Sequence, residues 1–179
     1  MLSLRSASPD FDAKRMRDRE RARILFVCMG NICRSPMVET VARVELARAG
    51  IAAEVASAGT EGYHIGESAD PRAIEMAEVH GYPLAQHRAR QVRASDFDDF
   101  DLVLAMDRVN LRALQRHRPR ADARDAELFL RHVGFDGRDE VPDPYYGGTR
   151  DFEHVLDLAR RGSALLIERL AASRAQVRA

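Results

Sequence analysis

Residues 24–36 read Ile-Leu-Phe-Val-Cys-Met-Gly-Asn-Ile-Cys-Arg-Ser-Pro: an apolar run passes directly into a loop that holds Cys28 and, six positions on, Arg34. Arg23 to Cys28 has the near-continuous apolar pattern of a strand covered on both faces. Behind the loop, Ser35 and Pro36 open a helix, because proline is tolerated in a first helical turn. Strand, loop and helix in that order set a thiol and a guanidinium over the positive end of a helix, where an anion such as phosphate is favoured. Gly30 and Asn31 tolerate left-handed backbone, which lets successive N–H groups of the loop turn inward as an anion nest.

Outward from this stretch, strand-like and helix-like segments alternate. Met37 to Ala49 is predicted helical, with Val38, Val41, Ala42 and Leu46 on one face and Gly50 as the stop. Glu54 to Ala58 reads as a second strand. Asp70 caps a helix with Pro71 in its first turn, running to about Val79 before His80-Gly81-Tyr82-Pro83 breaks it. Asp101 to Ala105 is a short apolar third strand, Asp107 caps a helix to about His117, and Glu127 to Leu130 is a weaker fourth strand. Thr149 is placed to cap a long helix carrying Phe152, Val155, Leu156, Ala159, Ser163, Leu166, Ile167 and Leu170 at helical spacing. Such alternation implies a single α/β domain with a parallel sheet. Ligands of these sheets bind beyond the carboxyl ends of the strands, which is where the Cys28 loop lies.

The bulk properties narrow the function classes. The chain has 179 residues, of which 45% are hydrophobic and 31% charged, as one domain with an ordinary core requires. Its net charge of zero gives no steering toward nucleic acid or an anionic membrane. Cys28 and Cys33 are the only two cysteines, too few for a disulfide framework or a four-cysteine zinc site, so the reduced cytoplasm is the expected compartment. Lys14 is the sole lysine among many arginines, a bias that reads as genome composition. Residues 1–22 read as a polar, mobile leader without a signal-peptide or membrane-anchor run. The domain is expected over residues 23–174, with a tail at 175–179.

The thiolate, not the thiol, is the nucleophile, and a free thiol is only a few per cent ionised at neutral pH. A helix N-terminus stabilises an adjacent anion by up to about 2 kcal/mol. Bonds to the sulfur from Arg34, Ser35 and the nest amides add to this. In so arginine-rich a chain the spacing of Cys28 and Arg34 is weak alone; the Gly-Asn turn and Ser35 give it weight. Arg34 suits a tetrahedral oxyanion because its planar fork makes two parallel bonds. Cys33 has two readings, a disulfide partner that spares Cys28 from over-oxidation and a small packing residue. A cysteinyl-phosphate route also needs a proton donor for the leaving oxygen. Asp143 is the candidate: prolines on both sides stiffen it within Val141-Pro142-Asp143-Pro144-Tyr145-Tyr146-Gly147-Gly148. On its own that segment is an ordinary surface turn.

Together, Val27-Cys28-Met29-Gly30-Asn31-Ile32-Cys33-Arg34-Ser35-Pro36 and Asp143-Pro144-Tyr145-Tyr146-Gly147 resemble the signature pair of the low-molecular-weight protein tyrosine phosphatases. Ser57-Ala58-Gly59-Thr60, Asp70-Pro71-Arg72-Ala73, His80-Gly81 and Ala105-Met106-Asp107 fall where that family has similar residues, so the resemblance covers about residues 23 to 172. It implies a three-layer, flavodoxin-like α/β domain with a central four-stranded parallel sheet. By the same resemblance Cys28 is the nucleophile, Arg34 the phosphate clamp and Asp143 the general acid. The amides of Met29, Gly30, Asn31, Ile32, Cys33, Arg34 and Ser35 would cradle phosphate. Asn31, Ser35, Ser57 and His87 would support the loop, and Cys33 would be the protective second cysteine. Met29, Tyr63, Tyr145 and Tyr146 would wall the substrate slot, with Asp107 a structural helix cap. His87 by itself reads as a solvated loop residue. His64 departs from the acidic residue of some eukaryotic members.

The implied reaction is hydrolysis of phosphotyrosine and aryl phosphates, with no cofactor and no metal. The implied substrate is a phosphotyrosine-containing protein, a bacterial tyrosine kinase among the candidates, and phosphate-like oxyanions would inhibit. Two rivals differ from this. A thiol-dependent arsenate reductase shares the fold and loop but needs further cysteines, and none follows Cys33. A catalytically silent phosphate-binding module would lack the thiol, the arginine or the acid, and all three are present.

Overall fold

Successive side chains of the first strand, β1 (Ala22–Cys28), leave the sheet on opposite faces, and both faces are covered. Ile24, Phe26 and Cys28 enter one core cluster, and Leu25 and Val27 enter the other. The computed structural model describes residues 21–120 and 123–177. Almost all of the predicted leader therefore lies outside the described residues. The strand starts at Ala22, the last residue assigned to that leader.

Three more strands, β2 (Ala53–Gly59), β3 (Leu102–Ala105) and β4 (Ala126–Leu128), complete a four-stranded sheet in the order β2-β1-β3-β4. Every pairing is parallel, with Cys28 opposite Gly59 and Val27 opposite Ala105. The chain leaves β1 toward β2 on one side and returns to β3 on the other. The carboxyl end of β1 is therefore the switch point where a ligand crevice opens. A Cβ on Gly59 would stand 2.6 Å from the Met29 carbonyl oxygen, so only glycine lets β2 pass this close to the Cys28 loop.

One face is covered by α1 (Arg34–Arg48), α2 (Pro71–Val79) and α6 (Thr149–Val177). All four residues predicted on the apolar face of α1 are buried, as is most of the predicted α6 stripe, and Ile167 is half-buried. Full burial of a side chain such as Phe26 or Leu46 contributes about 1.5–3 kcal/mol. The opposite face is covered by Phe97 of the short α3 (Asp96–Asp99), by Phe100 and by Leu114 of α4 (Arg108–His117). Asp70 and Asp107 cap α2 and α4 through their side chains, accepting from the N–H groups of Arg72 at 2.9 Å and Asn110 at 2.7 Å.

Three expectations are corrected. The fourth strand ends at Leu128, and Phe129 and Leu130 begin α5 (Phe129–His132). A strand would send these two side chains to opposite faces, yet both are buried in the same cluster, opposite to that of Leu128. A helical turn places both inward, with Phe129 edge-on to Phe26 at 5.1 Å between ring centroids. Gly162 of α6 makes room, since a Cβ there would lie 2.6 Å from the Phe129 ring. Thr149 is the first residue of α6, and the carboxylate of Asp151 accepts from the Gly148 N–H at 2.8 Å. Finally, α6 continues to Val177, into the stretch expected as a tail from residue 175.

Candidate active site

The backbone leaves β1 at Cys28, turns through the loop and enters α1 at Arg34, with Cys33 in the N-cap position making no side-chain cap bond. The first-turn N–H groups of α1 are thus left without a side-chain partner, which is what an anion site at a helix end requires. The turn is possible because Asn31 is left-handed, at φ 57°, the only non-glycine described residue with positive φ. In that conformation its N–H points at Cys28 Sγ, 3.3 Å away. Ser35 Oγ lies 3.0 Å from the same sulfur. Two groups that can donate hydrogen bonds therefore converge on one buried, free thiol.

A polar network holds the strained residue in place. Asn31 Nδ2 donates to Ser35 Oγ at 2.9 Å and to Ser57 Oγ at 2.8 Å, and its Oδ1 accepts from the Arg90 N–H at 2.9 Å. His87 Nε2 donates to the Asn31 carbonyl at 2.8 Å, so this residue is part of the support and not a solvated loop residue. Ser57 Oγ donates to Glu39 Oε2 at 2.6 Å. Neither Glu39 nor Arg90 is among the expected support residues. Glu39 was findable, because it sits one helical turn beyond Ser35 and shares its face; the Arg90 contact is a backbone N–H and has no side-chain signature.

His87 gives the network a pH dependence. Burial pushes its pKa below the ordinary value of 6.5, against the pull of the Asn31 carbonyl and the Glu39 carboxylate. The unfolded chain therefore takes up the proton first as pH falls. The stability from neutral His87 is complete above 6.5 and is lost as pH drops from there toward the folded value. His87→Gln keeps an N–H for Asn31 without titrating, so its melting temperature should fall less than that of the wild type below pH 6.5. Parallel melting profiles for the two proteins would show that the imidazole is not the titrating group.

Arg34 is 3% exposed and spans the site. Its Nη1 donates to Asp107 Oδ2 at 2.5 Å and to the Val141 carbonyl at 3.3 Å, and its Nη2 donates to Asp143 Oδ2 at 2.7 Å. Burial works against the guanidinium charge, but Cys28, Asp143 and Asp107 more than offset it, so Arg34 is held charged more firmly than an ordinary arginine. Asp107 thus does two things: one oxygen caps α4 and the other anchors Arg34. Cys33 is 5% exposed, and burial, with Asp70 and Cys28 nearby, pushes its thiol well up, so it stays protonated near neutral pH.

Asp143 reaches Arg34 from the loop that follows Pro142, and its Oδ1 accepts from the Tyr145 N–H at 3.1 Å, closing a turn over Pro144. The walls enclose a cavity of about 400 Å³ with Cys28, Arg34 and Asp143 in its lining. Met29, Tyr63, Tyr145 and Tyr146 also line it, as does His64, whose Nδ1 is 2.7 Å from Glu67 Oε2. Tyr145 and Tyr146 pack edge to face at 5.0 Å. Ser57 and His87 stand behind the loop and outside this cavity, as supports would. Among the described residues no helix is long and apolar enough to cross a membrane.

A parallel α/β sheet whose switch point holds a buried thiol, an uncapped helix end and an anchored arginine defines a thiol-bearing oxyanion site. The family model of low molecular weight phosphotyrosine protein phosphatase matches residues 23–176. The low molecular weight protein-tyrosine-phosphatase of Streptomyces coelicolor is 49% identical over 162 residues, covering 87% of this chain and 95% of that protein. The human low molecular weight phosphotyrosine protein phosphatase is 39% identical over 151 residues, covering 82% of this chain and 94% of its own. Among solved structures, the protein tyrosine phosphatase of Entamoeba histolytica with Hepes in its active site superposes with a TM-score of 0.79 at 34% identity, covering 86% of this chain and 99% of that one. Escherichia coli K30 Wzb, a tyrosine phosphatase in complex with sulphate, gives a TM-score of 0.72 at 32% identity, covering 84% and 99%. The chain belongs to the low molecular weight phosphotyrosine protein phosphatase family and is a protein tyrosine phosphatase.

Proposed function

We propose that this enzyme hydrolyses phosphotyrosine in two steps through a phosphoryl group carried on Cys28. The observation that carries the reading is the convergence of Asn31 N–H and Ser35 Oγ on the Cys28 sulfur, with Arg34 bonded across to Asp143. In the first step the thiolate attacks phosphorus, an S–P bond forms and the P–O bond to the phenol breaks. Asp143 gives its proton to the departing phenolic oxygen. In the second step the Asp143 carboxylate takes a proton from water, whose oxygen attacks phosphorus. The S–P bond breaks, releasing inorganic phosphate and the thiolate. The amides from Met29 to Ser35 and the Arg34 fork hold the equatorial oxygens, where charge is spread in such transfers.

In this reading Asn31, Ser35, Ser57 and His87 keep the loop in shape, and Met29, Tyr63, Tyr145 and Tyr146 hold the phenyl ring. Cys33 is the reserve thiol that protects Cys28. The substrate is a phosphotyrosine protein, a bacterial tyrosine kinase being one chemical fit, and the site is the cytoplasm. Phosphate-like oxyanions should compete for the cradle, in keeping with the sulphate and Hepes complexes of the related phosphatases.

The cavity is lined by Cys28 together with Met29, Tyr63, Tyr145 and Tyr146; in this reading an aromatic ring bridges from those walls to the sulfur, a span that a serine side chain does not cover. A phosphotyrosine peptide should be turned over at least about a hundredfold faster than its phosphoserine counterpart, the order of discrimination available to a shaped pocket. Comparable rates for both peptides would refute the slot reading. Removing the acid in Asp143→Ala should cost about 10²- to 10⁴-fold in kcat/KM for substrates with weakly acidic phenols.

A further inference from the structure

Asp143 can protonate a leaving group only if its loop is held over the slot, and one arginine outside that loop does much of the holding. Arg72, in the first turn of α2, donates through Nη2 to the Tyr145 carbonyl at 3.0 Å and through Nη1 to the Gly147 carbonyl at 3.2 Å. Among the described residues, no other side chain beyond this loop and α6 bonds the backbone between Pro144 and Gly148. The guanidinium is itself fixed. Its Nε and Nη2 donate to the two oxygens of Asp70 at 2.9 and 2.7 Å, and its Cζ lies 4.6 Å from the ring centroid of Phe152 and 5.9 Å from that of Tyr145. Asp70 in turn donates its backbone N–H to the Ile32 carbonyl of the phosphate loop at 2.8 Å.

We infer that Arg72 is a positioning residue for the general acid: with Asp70 it ties the Asp143 loop to the phosphate loop, fixing the carboxyl relative to the scissile oxygen. Three elements meet at this one side chain, namely the cap of α2, the acid loop and the first turn of α6. Arg72 touches neither the sulfur nor Asp143 itself, so it acts only through the loop backbone. Lysine cannot reproduce it, since a single ammonium cannot match the fork that serves Asp70 and two carbonyls together.

The inference rests on the reading of Asp143 as the acid, and its test separates the two. The kcat/KM is measured for a series of aryl phosphates of graded phenol acidity with the wild type, Arg72→Ala, Arg72→Gln, Asp143→Ala and the Arg72→Ala/Asp143→Ala pair. The Arg72 variants should lose about tenfold on the least acidic phenols, a part of the whole general-acid effect, and less than about twofold on the most acidic. On the Asp143→Ala background the Arg72 substitution should change nothing further, because there is no acid left to position. Arg72 is exposed, and the Gln variant, which keeps a donor of smaller reach, guards against a folding defect in the Ala variant. An equal loss across the whole series, a wild-type series in both variants, or an undiminished Arg72 effect without Asp143 each overturns the inference. If Asp143→Ala itself shows no steeper dependence on phenol acidity, it is the acid assignment that fails.

Discussion

Cys28→Ser is expected to abolish hydrolysis of aryl phosphates, with a loss on the order of 10⁶-fold, the size seen when a covalent nucleophile is removed. The hydroxyl that replaces the thiol has almost no anionic fraction near neutrality, and no base is bonded to it, since its neighbours are the Asn31 N–H and Ser35 Oγ. The fold should persist. The sulfur sits at the end of β1, and a serine oxygen accepts from the same Asn31 N–H. The variant should therefore bind oxyanions and phosphotyrosine peptides without turning them over. Calorimetry with phosphate and a sensitive turnover assay check both halves; residual activity within about a hundredfold of wild type would mean that another group attacks phosphorus.

Arg34→Ala combines a catalytic loss with a structural one. In the proposed mechanism the guanidinium is an oxyanion donor, and removal of one such donor costs about 10²- to 10³-fold in kcat. It is also the buried counter-charge of Asp107, whose side chain is 17% exposed, and of Asp143. Taking one partner from a buried pair typically costs about 3–5 kcal/mol, because the remaining charge is left unpaired. Asp107 keeps its cap bond to Asn110, which places the expected loss at the lower end of that range. Arg34→Lys should recover much of the melting temperature, since a cation returns beside Asp107, but little of the activity, since an ammonium lacks the planar fork that offers a phosphoryl group two parallel bonds. Thermal melts and kcat/KM read the two effects separately. Full activity in the Lys variant would show that charge alone, without the fork, holds the phosphate.

Asp143 Oδ2 accepts from Arg34 Nη2 at 2.7 Å. In the proposed mechanism, a substrate phosphoryl oxygen that takes over this bond would release the Asp143 carboxyl toward the leaving oxygen.

Much of this was legible in the order of residues. The apolar run into Cys28 located both the central strand and the site, because a parallel sheet buried on both faces gives continuous hydrophobic runs whose ends carry ligands. Asp70 and Asp107 were readable as caps from their place before helical patterns. What was not legible depended on tertiary contact. Phe129 and Leu130 look like strand residues, and only the shared cluster around Phe26 and Gly162 turns them into a helix. The second oxygen of Asp107 reaches Arg34 across 73 residues of chain, and His87 reaches Asn31 across 56, distances over which local pattern carries no information. Arg72 stands in the first turn of α2, and only the fold brings the Tyr145 and Gly147 carbonyls, 73 and 75 residues on, to its guanidinium.

The central claim is that the phosphoryl group rests on Cys28 between the two steps. Rapid acid quench during turnover of an acidic aryl phosphate, followed by mass analysis of the peptide carrying residues 24–36, tests it directly. The account predicts a burst of phenol matching the enzyme concentration and the mass of one phosphoryl group on Cys28, with longer persistence in Asp143→Ala, where water is not activated. Turnover with no burst and no phosphoryl group on Cys28 at any time would contradict it.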